Sequence, residues 1–301
     1  MHPSVPKTGG IFEGFAIELV DAEAKTRVRR ANSLARHRWA TITSHESAIA
    51  GVLAALRLDP CADWDLASMA KRAIMSRFHF SRVFKETTGI SPERFLAALR
   101  IELAKKLLLG TSTSVSSICF GVGYRSLGTF TRLFSEFVGI PPSGFRKLRD
   151  DFFSRSVEEH LQGHFVRPAM NRLVSRLRGS LHLPADFVGG AFVGLFESPI
   201  PKRHPLSGVL LLSGGRFELD GGAAPTTAYL LAVGFPDLTD TMAFLLPPQA
   251  SILVASRCVE KQTLGPSNSY DLYPRALHTF DPPILIALPL LLEAPTDRFA
   301  K

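Results

Sequence analysis

Through the first half of the chain, apolar residues return at the spacing of a helix. Ile49, Val52, Leu53 and Leu56 make one stripe, and Ala97, Ile101, Ala104, Leu107 and Leu108 make another. Near residue 175 the rhythm changes. Downstream, short runs rich in branched and aromatic residues alternate with Gly and Pro clusters, and they predict strands at 180–183, 191–196, 209–212, 216–219, 229–235, 252–259 and 283–288. With no helical stretches between them, they suggest an antiparallel sandwich. The fold expected is two-domain: an all-α half followed by an all-β sandwich.

The helical half contains a duplication. Residues 76–95 laid over 126–145 without a gap are identical at nine of twenty positions, among them Phe80/Phe130, Arg82/Arg132, Phe84/Phe134, Gly89/Gly139 and Phe95/Phe145. Each copy reads as a helix with its own punctuation. Ser76 and Ser126 are N-caps; Phe80, Val83 and Phe84, like Phe130, Leu133 and Phe134, form a buried stripe; Gly89 and Gly139 end the helix in a left-handed turn. Shorter helices at 66–71 and 115–121 precede each copy, giving the helix-turn-helix layout in which the second helix enters the major groove of DNA. The lone Gly121/Gly123 pair is read as the end of a helix and its turn. Between the copies one helix is expected from Ser91 and Pro92 to Gly110. At 1.5 Å per residue it spans about 27 Å, a spacer suited to two readers roughly one DNA turn apart.

The face opposite each buried stripe would meet DNA. The candidates are Arg77, Phe78, Ser81, Arg82 and Lys85 in the first copy, and Arg125, Ser126, Leu127, Gly128, Thr131, Arg132 and Ser135 in the second. Arg82 and Arg132 suit two-pronged hydrogen bonding to guanine. Contact with phosphate, or with Glu86 and Glu136 one turn on, is the competing reading.

Charge sharpens the division. The chain has 301 residues and a formal net charge of +8. Residues 1–40 hold 7 Lys/Arg against 4 Asp/Glu, residues 41–149 hold 15 against 8, and residues 150–301 hold 13 against 15. A basic first half fits a polyanionic partner.

Residues 45–149 resemble the AraC/XylS family of bacterial transcription regulators. The resemblance is carried by SRFHFSRVFKETTGISPERF at 76–95, RIELAKKLLLGT at 100–111 and VSSICFGVGYRSLGTFTRLFSEFVGIPPSGFRKL at 115–148. It implies a homeodomain-like double helix-turn-helix domain on double-stranded DNA. The family's groove-facing positions fall on Phe78, Ser81, Arg82 and Lys85, then on Leu127, Gly128, Thr131 and Arg132. Leu127 and Gly128 depart from the polar residues usual there, which leaves a shape-reading architectural binder as the alternative, with an enzyme using the C-terminal domain as a third reading. Many family members carry the reading domain last; here the order is reversed. The region 178–288, with GGAFVGLFESPIP, RFELD and AYLLAVGF, is similar to the prealbumin-like sandwich of carboxypeptidase regulatory domains.

The organisation expected is a basic, mostly disordered lead-in (1–40), the reading domain (41–149), a helical connector (150–175) and a β-sandwich for regulation or interaction (176–301). Partners would be DNA, RNA polymerase, and a small effector or a second copy through the sandwich. The Arg27, Arg29, Arg30, Arg36 and Arg38 cluster reads as a solvated tail or a minor-groove arm.

Catalytic readings fare poorly, since the hydrolase elbow, the zinc-protease pair and the phosphate and dinucleotide loops are all missing from the sequence. No cofactor is expected. His160 and His164 share a helical spacing without a third ligand, so no metal is expected either. Cys119 reads as a buried structural thiol, and Cys258, in Ser-Arg-Cys-Val, does not match the Pro-Cys-His-Arg setting of a repair relative. No apolar run reaches a membrane span, and the first twenty residues lack a secretory pattern, so a cytoplasmic protein is expected.

Overall fold

A computed structural model describes residues 44–153, 176–198, 205–221, 224–236, 245–246, 248–263 and 268–285. The lead-in, most of the connector and His160 and His164 lie outside this set.

Among the described residues seven helices occupy the first part: α1 over 44–58, α2 Leu66–Arg72, α3 Arg77–Thr88, α4 Pro92–Gly110, α5 Val115–Gly121, α6 Leu127–Val138 and α7 Pro142–Phe153. Most starts carry a side-chain cap. Asp65 and Ser68 form a reciprocal capping box on α2, and the hydroxyls of Ser76, Ser91, Ser114 and Ser126 accept first-turn amides of α3 to α6. Gly89 and Gly139, at φ 78° and 100°, close α3 and α6 in the left-handed region, as the sequence predicted.

The duplication extends into the cores. Phe80, Phe84 and Phe95 pack in series through a tilted and then an edge-to-face contact, with centroids 5.4 and 5.7 Å apart, and Phe130, Phe134 and Phe145 repeat the series at 5.7 and 5.7 Å. Helix α4 serves both units. Its Phe95, Leu96 and Leu99 join α1 to α3, while Ala98, Ile101, Ala104, Leu108 and Leu109 join α5 to α7.

The second part is rich in β-sheet. Strand β1 (Arg176–Leu181) lies between β4 (Gly215–Asp220) and β7 (Ser269–Leu272). A second sheet runs in the order β3 (Ser207–Leu211), β2 (Gly190–Phe196), β5 (Thr227–Phe235), β6 (Leu253–Glu260) and β8 (Arg275–Ala276). Leu177, Leu181, Phe217 and Leu219 from the first sheet share one buried cluster with Ala191, Val193, Leu195, Leu230 and Ala232 from the second.

Three expectations are corrected. The β1–β7 pair is parallel, so the region is not wholly antiparallel. Strands β7 and β8 lie where none was predicted. The described part of the 283–288 run, Pro283–Leu285, is not a strand. Pro283 lacks an amide proton, and the groups beyond it are used otherwise. The Ile284 amide donates to Gln249 Oε1 at 3.0 Å, and the Leu285 carbonyl accepts from Lys105 Nζ at 2.8 Å.

That last contact joins the two parts. Segment 277–285 lies against the helices: Arg57 of α1 donates to the Asp281 carbonyl at 3.1 Å, and Phe280 packs on the α1–α3 core. Phe192, Phe196, Leu231 and Val233, from the other face of the five-stranded sheet, belong to the same buried cluster as the α4–α7 core. Both faces of β2 are therefore covered, and all seven of its residues are buried. Among the described residues no helix is long and apolar enough to cross a membrane.

Candidate nucleic-acid interface

Helices α3 and α6 each bury one face and leave the other open. On α3, Arg77, Phe78, Arg82 and Lys85 are exposed and Ser81 is half-buried. On α6 and the turn before it, Arg125, Ser126, Leu127, Gly128 and Arg132 are exposed and Thr131 is half-buried. Phe78 is 85% exposed, which leaves a full aromatic ring on the open face. Ser126 is engaged as a cap, its oxygen 3.4 Å from the Thr129 amide. Ser135 turns back to donate to the Thr131 carbonyl at 2.8 Å, away from the open face.

The arginines are held lightly. Arg82 Nη1 lies 3.4 Å from Glu86 Oε1, and its Nη2 lies 3.3 Å from His79 Nδ1. Arg132 is 3.7 Å from Glu136, which is already bound at 2.7 Å by Arg94 of α4. Arg125 meets both oxygens of Asp63 at 2.9 and 3.1 Å, with both side chains more than four-fifths exposed. Exposed pairs of this kind contribute about 0–1 kcal/mol, so each guanidinium can be exchanged onto a base or a phosphate.

The turns of the two units match group for group. In the first, Ile74 and Met75 amides donate to Lys71 and Ala70 carbonyls; in the second, Gly123 and Tyr124 amides donate to Phe120 and Cys119 carbonyls. Ile74 and Gly123 are the left-handed residues, at φ 55° and 90°. The second turn is one residue longer, and the extra residue is Arg125.

Sequence reasoning missed what ties the units together. Arg100 of α4 donates to the Pro60 carbonyl at 2.8 Å and the Ala62 carbonyl at 2.9 Å, and lies 5.7 Å over the Tyr124 ring. Burial pushes the Tyr124 hydroxyl up to about 12. With the half-buried Arg94–Glu136 pair, these contacts tie the second unit to the α1–α2 loop and to α4, and the exposed Arg125–Asp63 pair adds little. Cys119 is fully buried, and desolvation raises its thiol pKa, which fits a structural role. Lys105 is a further surprise. It is 1% exposed, lies 5.4 Å over the Phe145 ring, and is lowered to about 7, first by burial, against the raising effect of Glu102.

Comparison with known proteins gives this geometry a family. The family described as the helix-turn-helix domain matches residues 69–148. Over 95 residues the chain is 38% identical to an uncharacterized HTH-type transcriptional regulator of Haemophilus influenzae, covering 32% of each. Over 99 residues it is 35% identical to an AraC-like transcription regulator of Streptomyces lividans, covering 33% of each. The chain therefore spans about a third of the length of the curated relatives it matches. Among solved structures it is similar to the DNA-binding domain of AdpA in complex with a target DNA, at 29% identity, covering 36% of this chain and 97% of that one, with a TM-score of 0.34. Two matched helix-turn-helix units on a shared helix, together with the family match, make residues 69–148 a helix-turn-helix domain similar to those of these curated transcription regulators.

Proposed function

We propose that the protein is a sequence-specific transcription regulator that inserts α3 and α6 into adjacent major grooves of one duplex. The observation that carries this reading is the pair of exposed helix faces on two units that share the 19-residue α4 and are fastened to it through Arg94 and Arg100. Fixed spacing means that little orientational freedom is lost on binding. Arg82 reads a guanine edge once released from Glu86, and Arg132 does the same in the second groove. Arg77, Lys85 and Arg125 meet phosphates, which supply affinity without sequence choice. Phe78 and Leu127 offer apolar contact to thymine methyl groups.

The proposed organisation is a lead-in (1–40), the reading domain (41–149), a connector (150–175) and a regulatory or interaction domain (176–301). The two sheets around a shared apolar layer support reading that last part as a β-sandwich. Its partners would be an effector, a second copy or RNA polymerase. The chain acts by binding rather than by catalysis.

A second reading, a shape-reading architectural protein, is favoured by Leu127 and Gly128. A Cβ on Gly128 would meet only Ser126 Oγ at 3.8 Å, so the second reader presents an almost bare surface there. The two readings separate by affinity for a duplex selected from random DNA against affinity for unselected duplex. A ratio of about 10³ or more supports the regulator, and a ratio near unity overturns it.

A further inference from the structure

The five-stranded sheet ends unevenly. Strand β8 pairs with β6 only at Leu253 and Val254, so the backbone edge of β6 from Ala255 to Arg257 continues without a β8 neighbour. A cavity of about 440 Å³ opens there, within the size range of small-molecule sites. Val233 and Val254 wall it on the sheet side, and Leu277 and Ile284 close it on the other, so most of the lining is apolar.

Its polar groups do not balance. Of the two acids on the wall, Asp271 faces His182 at 3.2 Å, and Asp281 is gripped by Arg275 at 2.6 and 3.1 Å and by the His278 amide at 2.6 Å. Arg257 is exposed and rests 5.4 Å over the Tyr270 ring; among the described residues no carboxylate pairs with it. A guanidinium with no carboxylate partner among the described residues, beside a stretch of β6 that β8 does not pair and above apolar walls, matches one ligand chemistry: an anionic, planar head on a hydrocarbon body.

The far wall is also the segment that docks on the DNA-binding domain. Asp281, held through its carboxylate by Arg275 in the cavity, offers its backbone carbonyl to Arg57 of α1. Leu285, next to the wall residue Ile284, takes the hydrogen bond of Lys105 on α4. An anion in the cavity competes with Asp281 for Arg275, and so acts on the contacts that hold the segment to α1 and α4.

We propose that this cavity binds a small organic carboxylate with an apolar body, and that its occupancy changes the DNA affinity of the helix-turn-helix domain through segment 277–285. The second half rests on the DNA-reading proposal; the first does not. By linkage, duplex binding must alter ligand affinity by the same factor.

The test uses the full chain and two probes of matched shape, cyclohexanecarboxylate and cyclohexylmethanol, titrated calorimetrically up to about 10 mM, a range that reaches millimolar dissociation constants. Saturable binding of the carboxylate is expected, at least about tenfold tighter than the alcohol. Arg257→Ala should erase that preference while far-ultraviolet circular dichroism stays unchanged, and Arg257→Lys should retain part of it. Val254→Phe, which fills the cavity from its wall, should exclude both probes. Equal binding of the two probes, failure of both to saturate, or an unchanged preference in Arg257→Ala would overturn the site. The coupling is read separately, as a change of about threefold or more in affinity for a selected duplex at saturating carboxylate, absent in Arg257→Ala. An unmoved duplex affinity overturns the coupling alone. A chain that prefers no duplex overturns the DNA reading and leaves the titration to decide the site.

Discussion

Ile74 holds the left-handed position of the first turn at φ 55° with its side chain 94% exposed, while the second unit places Gly123 at the equivalent point, at φ 90°. A left-handed backbone costs an L-residue roughly 1–2 kcal/mol, and a β-branched side chain sits at the upper end. Little apolar burial offsets this. Ile74→Gly removes the strain but frees the unfolded chain, at a cost of about 0.4–1 kcal/mol. The net expectation is a gain of about 1 kcal/mol, read as a higher urea midpoint at unchanged slope. Gly123→Ala should do the opposite. Its new Cβ would sit in a strained φ, 3.0 Å from both the Arg100 guanidinium and the Cys61 carbonyl, disturbing the bonds from Arg100 to Pro60 and Ala62. A loss of about 2 kcal/mol is expected. The reasoning is refuted if Ile74→Gly is neutral or destabilising, because the turn would then not be strained as its dihedral implies.

Three more predictions concern charge and reading. Lys105 has its pKa lowered from 10.5 to about 7 in the folded chain, so the unfolded state binds more protons between those values and stability rises with pH across that window. The slope approaches roughly 1.4 kcal/mol per pH unit and should vanish in Lys105→Met, measured as denaturation midpoints from pH 7 to 9.5. The raised thiols of Cys61 and Cys119 act with the opposite sign near the top of that range, but equally in both proteins, so the difference isolates Lys105. Arg82→Ala should relax preference at one base pair of a selected site by about 1–3 kcal/mol, whereas Lys85→Ala should weaken all duplexes alike and reduce the salt slope by about one unit; identical behaviour of the two variants would contradict their assigned roles. Replacing thymine by uracil in the selected site removes only the C5 methyl, and should weaken the wild type several-fold but not Phe78→Ala, as read by fluorescence anisotropy.

The helical half was legible because its signals are local and stated twice. Serine caps, the Phe80/Phe84 spacing and the terminal glycines each act within a few residues, and the second copy corroborates the first. The strands at Gly190–Phe196 and Thr227–Phe235 were legible from their apolar runs. Strand β7, Ser-Tyr-Asp-Leu, was not, since four residues with two polar ones resemble a loop until β1 supplies a parallel partner. Pro283–Leu285 misled for the converse reason: apolar residues that look like a strand cover a helical domain instead. The contacts of Lys105 with Leu285 and of Arg57 with Asp281 link residues 180 and 224 positions apart, beyond any periodicity. Lys105 follows Ile101 by one turn on the buried face, yet its neighbour Lys106 is an ordinary exposed lysine paired with Glu102, and sequence alone does not separate the two. The candidate reading residues were named from their spacing, as were Glu86 and Glu136 beside them, and the structure adds Asp63, which pairs with Arg125 across 62 positions.

The measurement that bears most directly on the account is a methylation-interference footprint at guanine N7 on a duplex selected by the full chain. Two clusters of interference on one face, about 10 base pairs apart, are expected, and inserting half a helical turn between them should reduce affinity to that of random DNA. A single cluster, or indifference to the insertion, would contradict two readers fixed one turn apart.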